Sequence, residues 1–201
     1  MGSDSAYRAA AGTAESELRE RGSRFLAMLE PALSEPSVRD QIKVYREEYS
    51  GASHVCWAWR IGSPPREGRS DAGEPAGTAG TPMLQVLRGA DLSDVLAVVV
   101  RWFGGVKLGK GGLARAYAGS VRDALSELRI EERRPLVRRR VSLPFDRVGD
   151  LKRLIHPPVV EVIEELYADD VTVTLEVDLR HLEETEEALK IFATSVEDAG
   201  V

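Results

Sequence analysis

The chain has 201 residues, of which 43% are hydrophobic and 30% are charged, and its formal net charge is −6. This composition is ordinary for a soluble globular protein, and the length suits one large domain or two small ones. The acidic balance excludes a polycation, so binding to RNA or DNA requires a local basic patch.

The single cysteine, Cys56, excludes an intramolecular disulfide and fits a reducing compartment. The first twelve residues lack the charged start and the apolar run of a secretory signal. The strongest apolar run, residues 95–100, is too short to cross a bilayer. We therefore expect a cytoplasmic protein with no membrane partner.

The first predicted elements follow a flexible tail at residues 1–13. Residues 14–33 allow one amphipathic helix, but the central Gly22-Ser23 pair indicates two strands joined by a turn, which we favour. A helix is expected at 38–48 with Ser37 as its N-cap, and a strand at 54–61. Residues 62–81 form a long loop, and loops of this length are often functional.

The second half begins with a short helix at 82–88 and an apolar strand at 95–103, buried on both faces. A glycine-rich loop then leads into a helix at 113–128, and residues 131–136 form a basic linker. Beyond it we predict strands at 141–145, 159–167 and 171–179, helices at 148–155 and 182–193, and a short last strand within 194–201. The expected domains are residues 14–130 and 137–201.

The loop after the apolar strand fits the G-x-x-x-x-G-K spacing of a phosphate-binding loop between a strand and a helix. That motif next needs a Ser or Thr hydroxyl for Mg²⁺, whereas this chain has glycine, so we do not expect a nucleotide triphosphatase. The loop still suits an anion, because its backbone N–H groups are accessible and the helix dipole favours negative charge. Alternatively, the glycines only permit a tight turn against another backbone. The candidate residues for binding an anion or nucleic acid are Arg101, Gly104, Gly105, Lys107, Gly109, Lys110, Gly111, Gly112 and Arg115.

The loop at residues 70–80 is the second candidate region. Its carboxylates could pair with Arg101, Lys107 or Arg115 across a cleft, or act together as an acid/base pair. The alternative is a solvated loop whose hydroxyls hold local backbone. The candidate cleft residues are Ser70, Asp71, Glu74 and Thr78. With two carboxylates and no clustered histidine, neither a dedicated metal site nor a cofactor is expected.

The strand at 54–61 carries His54 and Cys56 on one face and Trp57 and Trp59 on the other. A Cys/His nucleophile pair lacks an orienting third group, so we favour a buried cysteine beside a core histidine. For the tryptophans, core packing is favoured for at least one, and base stacking is the alternative.

Five arginines around the linker predict either a strip that contacts phosphates or a solvated, salt-bridged segment. These residues are Arg133, Arg134, Arg138, Arg139 and Arg140.

Four stretches together resemble the IMPACT/YigZ family. They are GSRF at 22–25, HVCWAWR at 54–60, residues 70–82, and RWFGGVKLGKGGLARAY at 101–117. The resemblance implies an α+β protein, with an N-terminal fold like the second domain of ribosomal protein S5, shared with a domain of elongation factor G. It also implies strands in residues 14–33 and a small C-terminal ferredoxin-like βαββαβ domain of the DUF1949 kind.

The resemblance further implies a link to translation. Eukaryotic relatives are translational regulators that compete for the activator of a starvation-sensing kinase, whereas nucleic-acid binding by bacterial members is inferred from fold, which alone does not give function. Two positions depart from the family pattern. Ala72 stands where a second Asp is common, and Trp102 where Tyr is usual, so any role of that carboxylate or hydroxyl is absent here.

Our leading expectation is a binding module that places Arg101, Lys107, Lys110 and Arg115 against phosphates of RNA, on the ribosome or free. No catalytic motif is complete, so an enzyme is less expected. The alternatives are an enzyme or binder of a small anionic metabolite, with Asp71 or Glu74 handling a proton, and a protein-interaction domain in translational control.

Overall fold

The computed structural model describes residues 6–200, and the chain divides into two compact units, Tyr7–Arg133 and residues 134–200. Both units mix strands and helices, which confirms the predicted α+β class. No helix in the described range is long and apolar enough to span a membrane.

A five-stranded antiparallel sheet organises the first unit. Its strands are β2 (Ala14–Glu20), β3 (Ser23–Pro31), β4 (His54–Ile61), β5 (Arg66–Ser70) and β7 (Val95–Trp102), in the spatial order β2-β3-β7-β4-β5. The central strand β7 is buried from Val95 to Arg101, as predicted for the apolar run. It therefore carries the residue that follows the run, Arg101, into the interior.

Helices cover both faces of this sheet and enclose two hydrophobic cores. They are α1 (Glu35–Glu48), α2 (Gly80–Gly89) and α3 (Gly109–Glu127). Helix α1 packs through Val38 and Ile42 against one face, and α2 and α3 pack through residues such as Met83 and Tyr117 against the other. The functional candidates lie at the α2 and α3 face.

A second sheet of three short strands completes the unit. Its strands are β1 (Tyr7–Ala10), β6 (Leu92–Ser93) and β8 (Ile130–Arg133), in the order β6-β1-β8. The predicted tail at 1–13 is thus wrong for Tyr7–Ala10, while residues 1–5 lie outside the described part. The alanines of β1 are fully buried, and their small side chains gave no apolar pattern.

The structure confirms the strand pair in residues 14–33. Its turn uses positive φ at Arg21 and Gly22, +46° and +78°. The predicted N-cap is wrong by three residues: Ser34 caps α1, and its Oγ accepts the backbone N–H of Ser37 at 3.3 Å. The helix begins earlier because Pro36 fits its first turn.

Two further predictions of loop are corrected. The 62–81 loop contains β5, which pairs with β4 although its sequence, REGRS, has no apolar alternation. The predicted linker at 131–136 contains most of β8, which pairs with β1. In both segments backbone pairing, which needs no apolar side chain, forms the strand.

The second unit has the element order that the sequence predicted. Its elements are β9 (Leu136–Leu143), α4 (Val148–Leu154), β10 (Val160–Tyr167), β11 (Val171–Asp178), α5 (Leu182–Lys190) and β12 (Ser195–Asp198). The sheet order is β10-β11-β9-β12, with antiparallel neighbours. Leu151 of α4 and Leu189 of α5 join one core with the valines of β11. Strand β9 begins earlier than predicted.

Candidate functional site

The glycine-rich loop lies between β7 and α3 and leaves the start of that helix uncapped. Helix α3 begins at Gly109, four residues before the predicted start, with Leu108 as N-cap and no capping side chain. Gly105 and Gly109 have φ of +87° and +69°, in the left-handed region that favours glycine. The first N–H groups of a helix have no partner within it, so this terminus presents donors to an anion.

Three of the predicted cations are exposed around this helix start. Lys107, Lys110 and Arg115 are exposed and form no ion pair with any residue in 6–200. Residues 101–122 include no Asp or Glu at all. The segment is thus a local basic surface in an acidic protein.

A small cavity of about 160 Å³ adjoins this surface. It is lined by Leu18, Glu20, Gly112, Arg115 and Ala116. Glu20 brings a carboxylate to its wall.

Gly104 has a packing role that the alternative interpretation of the loop foresaw. A Cβ built on it would lie 1.8 Å from the carbonyl carbon of Gly22, in the β2–β3 turn. A Cβ on Gly111 would come no nearer than 3.4 Å, to Nη1 of Arg115. Gly104 therefore lets two backbones touch, whereas Gly111 is not sterically required.

Two apolar residues at this loop were not singled out from the sequence. Phe103 and Val106 are each 50% exposed. The prediction assigned Phe103 to a buried strand, but β7 ends at Trp102. The loop consequently offers a half-exposed aromatic ring, which has the Arg101 guanidinium on one face with 5.5 Å from Cζ to the ring centroid.

Beneath the loop lies a buried polar group that we call the Glu74 cluster, formed by Ser23, Glu74, Arg101 and Tyr117. Oε1 of Glu74 accepts hydrogen bonds from Nη1 of Arg101 at 2.6 Å and from the Tyr117 hydroxyl at 2.8 Å. The Arg101 and Glu74 side chains are only 5% and 3% exposed. The predicted pairing of Glu74 with Arg101 is confirmed, and the guanidinium is absent from the surface.

The Glu74 cluster fixes the start of the glycine-rich loop. Ser23 Oγ accepts from Nη2 of Arg101 and from the backbone N–H of Gly104, both at 3.2 Å. Nε of Arg101 is buried without a partner in the described range, so Glu74 alone offsets its charge. A buried ion pair thus links the 70–80 loop, β7 and α3.

Cys56 and His54 adjoin the Glu74 cluster without forming a nucleophile pair. The Cys56 thiol is fully buried and donates to the carbonyl of Asp71 at 3.0 Å, and burial raises its pKa to about 12. His54 places Nδ1 3.0 Å from the carbonyl oxygen of Ala72 and Nε2 3.8 Å from Oε1 of Glu74. A thiol with so high a pKa is not a nucleophile at neutral pH, as the buried-cysteine interpretation predicted.

Asp71 is occupied by backbone. Its carboxylate accepts the N–H groups of Gly77, Ala79 and Gly80 at 2.8–2.9 Å, at the start of α2. Burial raises the pKa of this carboxyl, but the three donors outweigh burial and hold it below its usual value. Asp71 therefore organises the loop and is not free to act with Glu74 as an acid/base pair.

The two hydroxyl residues of the 70–80 loop also hold local backbone. Ser70 Oγ accepts the N–H of Ala72 at 3.2 Å, and Thr78 Oγ1 donates to the carbonyl of Pro75 at 2.7 Å. Ala72, one of the two residues that depart from the IMPACT/YigZ pattern, has φ of +45°.

The tryptophans face the α1 core, opposite the Glu74 cluster. Trp59 is 8% exposed and Trp57 is half-buried. The prediction that at least one of them packs in the core is therefore confirmed by Trp59. Trp102, the other departure, lies under the guanidinium of Arg24, with 4.5 Å from Cζ to the ring centroid, and edge-on to Tyr49.

The arginines around the predicted linker are mostly paired with acids. Arg133 pairs with Asp94 in the first unit, and Arg139 with Glu186 in the second. Arg134 and Arg138 also have acidic partners. The salt-bridged interpretation is therefore confirmed for four of the five.

A family profile now accounts for the association of these motifs. The profile of the Impact N-terminal domain matches residues 21–125, more than half of the chain. The chain belongs to the IMPACT family. This confirms the resemblance drawn from the four motifs. A second profile, for a domain of unknown function (DUF1949), matches residues 141–190.

Individual relatives agree with these profiles. IMPACT family member YigZ of Escherichia coli is 38% identical over 136 residues, covering 66% of this chain and 67% of YigZ. IMPACT family member YvyE of Bacillus subtilis is 35% identical over 158 residues, covering 78% and 73%. A solved structure described as a hypothetical protein superposes with a TM-score of 0.74 at 30% identity, covering 98% of this chain and 97% of that one.

Proposed function

We propose that this IMPACT family protein is a translation-associated regulator that binds RNA, free or in the ribosome, through the glycine-rich loop and the start of α3. The contacts to phosphate come from Lys107, Lys110, Arg115 and the free N–H groups of α3. The link to translation comes from the IMPACT family, because its eukaryotic members regulate translation. We also propose that the protein works in the cytoplasm.

The uncapped N-terminus of α3 with its unpaired cations carries this proposal. Exposed cations without an acidic partner in the range 6–200 also occur elsewhere, such as Lys152 and Lys190, but the three around this terminus lie together in a stretch, residues 101–122, that has no Asp or Glu. Unpaired cations beside free backbone donors suit a polyanion, since phosphate oxygens accept from both. The half-exposed ring of Phe103 adds a platform on which an unpaired base can stack.

Arg101 supports the site without touching RNA in this proposal. Its guanidinium is buried against Glu74, and through Ser23 it fixes the backbone of Gly104. Such support holds the loop in one conformation before binding, which lowers the entropic cost of binding.

The alternative of a small anionic metabolite receives less support from the geometry. The cavity beside Gly112 and Arg115 measures about 160 Å³, below the roughly 300–1,000 Å³ usual for ligand pockets. Glu20 on its wall would repel an anion, and both carboxylate oxygens of Asp71 already accept backbone N–H groups.

We further propose fold assignments for the two units. The first unit is assigned the fold of the second domain of ribosomal protein S5. The second unit is assigned a ferredoxin-like fold, which its β–α–β–β–α–β order and its sheet order β10-β11-β9-β12 support. The two units are proposed to be separate domains, with their boundary in the chain between Arg133 and Arg134.

The test is co-sedimentation with ribosomes and fluorescence anisotropy with a labelled single-stranded RNA, each at several salt concentrations. We expect salt-sensitive binding by the wild-type chain. The variant Lys107→Glu/Lys110→Glu should weaken binding to every RNA sequence. Because each lost phosphate contact lowers the slope of log K against log[salt] by about 0.7, this variant should flatten it by about 1.4.

The matched control is Lys152→Glu/Lys190→Glu, which makes the same change of charge at two exposed lysines of the second unit. If both double variants weaken binding equally, net charge and not the loop is responsible. If the wild-type chain binds neither ribosomes nor RNA at low salt, the proposal fails. Ribosome binding that survives nuclease would instead favour the protein-interaction alternative.

A further inference from the structure

The outer edge of β10 is an open strand edge in the second unit. Among the strands of the described residues 6–200, in the order β10-β11-β9-β12, β10 pairs with β11 on one side only. Past an irregularity between Val162 and Glu164, pairing is regular from Glu164 opposite Thr174 to Tyr167 opposite Val171. On the outer side of this stretch, alternate backbone N–H and C=O groups face solvent.

Apolar side chains are exposed along the same edge. Ile163, Leu166 and Tyr167 are 44%, 58% and 59% exposed. The ring of Phe145, 53% exposed, lies 6.3 Å from that of Tyr167 between centroids. A strand edge with large exposed apolar groups is unusual in a soluble domain unless another chain covers it.

The edge lacks lysine and proline, two of the features that prevent unwanted pairing, although its glutamates and its irregularity remain. Natural edge strands commonly carry lysine or proline, and β10 has neither in its sequence VEVIEELY. The irregularity at Ile163 bends one point of the strand but leaves four regular residues beyond it.

The charge around this edge determines which partner fits. Residues 160–170 contain five carboxylates, those of Glu161, Glu164, Glu165, Asp169 and Asp170, and no Lys, Arg or His. A second copy of the same edge would bring these carboxylates against each other, and like charges on paired strands are destabilising. RNA is disfavoured for the same reason.

We infer that the outer edge of β10 binds an extended, lysine- or arginine-rich segment of a partner protein by strand addition. The partner backbone pairs with the residues from Glu164 to Tyr167, its apolar side chains contact Leu166 or Tyr167, and its cations lie beside the carboxylates. This site is independent of the RNA surface of the first unit, and the two attract opposite charges.

The test uses a fluorescein-labelled eight-residue peptide of alternating Lys and Val, titrated with the full chain. A second peptide has proline in place of each valine, so it has the same charge but half the backbone donors. We expect saturable binding of the first peptide and at least tenfold weaker binding of the second. Amide shifts in two-dimensional NMR should change most at residues 164–167.

Matched variants test the role of charge. Glu161→Gln/Glu164→Gln should weaken binding of the Lys/Val peptide about fivefold, the effect of losing two exposed charge pairs. The control Glu183→Gln/Glu187→Gln removes two exposed carboxylates from α5 and should leave binding unchanged. Lys107→Glu/Lys110→Glu should also leave it no weaker, which separates this site from the RNA proposal.

Three outcomes would overturn the inference. One is absence of saturable binding at millimolar peptide, and another is equal binding of the proline peptide, which would reduce the interaction to charge alone. The third is a dimer in sedimentation whose interface maps to residues 164–167, because a second copy would then be the occupant.

Discussion

Replacing Glu74 by glutamine tests the buried ion pair beneath the glycine-rich loop. The change keeps the shape of the side chain but removes the charge that faces Arg101 at 2.6 Å. The guanidinium stays inside the protein, because Ser23 and the surrounding core still hold it. We expect a large loss of stability, since a buried charge is left without its counter-charge.

The magnitude follows from the burial of both partners. Removing one member of a buried pair costs about 3–5 kcal/mol. Glutamine still accepts a hydrogen bond through its amide oxygen, so the lower end, about 3 kcal/mol, applies. With a urea m-value of about 1.5 kcal/mol/M for a unit of this size, the midpoint should fall by about 2 M.

Tryptophan fluorescence provides the assay. All three tryptophans, Trp57, Trp59 and Trp102, belong to the first unit, so their emission during urea unfolding reports that unit alone. The control is Glu132→Gln, the same chemical change at an exposed carboxylate. A midpoint for Glu74→Gln that matches the control would refute the idea that the pair carries buried charge.

Two further changes test neighbouring parts of the site. Gly104→Ala should destabilise the first unit by roughly 2 kcal/mol or more, because its Cβ would overlap Gly22. The control Gly12→Ala, at a position with open space around it, should change the urea midpoint little. If Gly104→Ala also left the midpoint unchanged, the two backbones would not touch. For Cys56, burial raises the pKa of the thiol from its usual 9.0 to about 12. The contribution of the protonated thiol to the free energy of unfolding is thus complete below pH 9 and is lost as pH rises from 9 towards 12. Unfolding free energy measured over this range should fall more steeply in the wild-type chain than in Cys56→Ala, and equal slopes would show that the thiol titrates normally.

Sequence pattern was sufficient where apolar side chains repeat. Alternation identified β4 to the residue, and the unbroken apolar run identified β7. Strands β5 and β8 were missed because they are polar and lie at the outside of their sheets, where backbone pairing alone forms the strand. The glycines at the start of α3 looked like loop, since glycine has poor helix propensity.

The candidate site was predicted only in part for a similar reason. Exposure of Lys107 and Lys110 follows from their glycine-rich surroundings. The pairing of Glu74 with Arg101 was one of several alternatives, and its link to Tyr117 was not foreseen. These partners are 27 and 43 residues apart in the chain. Such contacts depend on the tertiary fold and leave no periodic signal in the sequence.

The placement of β1 has a consequence for how the protein is made. This strand pairs with residues Ile130–Arg133, and the carboxylate of Asp94 accepts from both the Tyr7 hydroxyl and Arg133. During synthesis β1 therefore appears long before β8, the later of its two partner strands, whereas its other partner, β6, is complete at residue 93. The first unit can close only after residue 133 appears, so its folding during synthesis ends with this late pairing of its two ends.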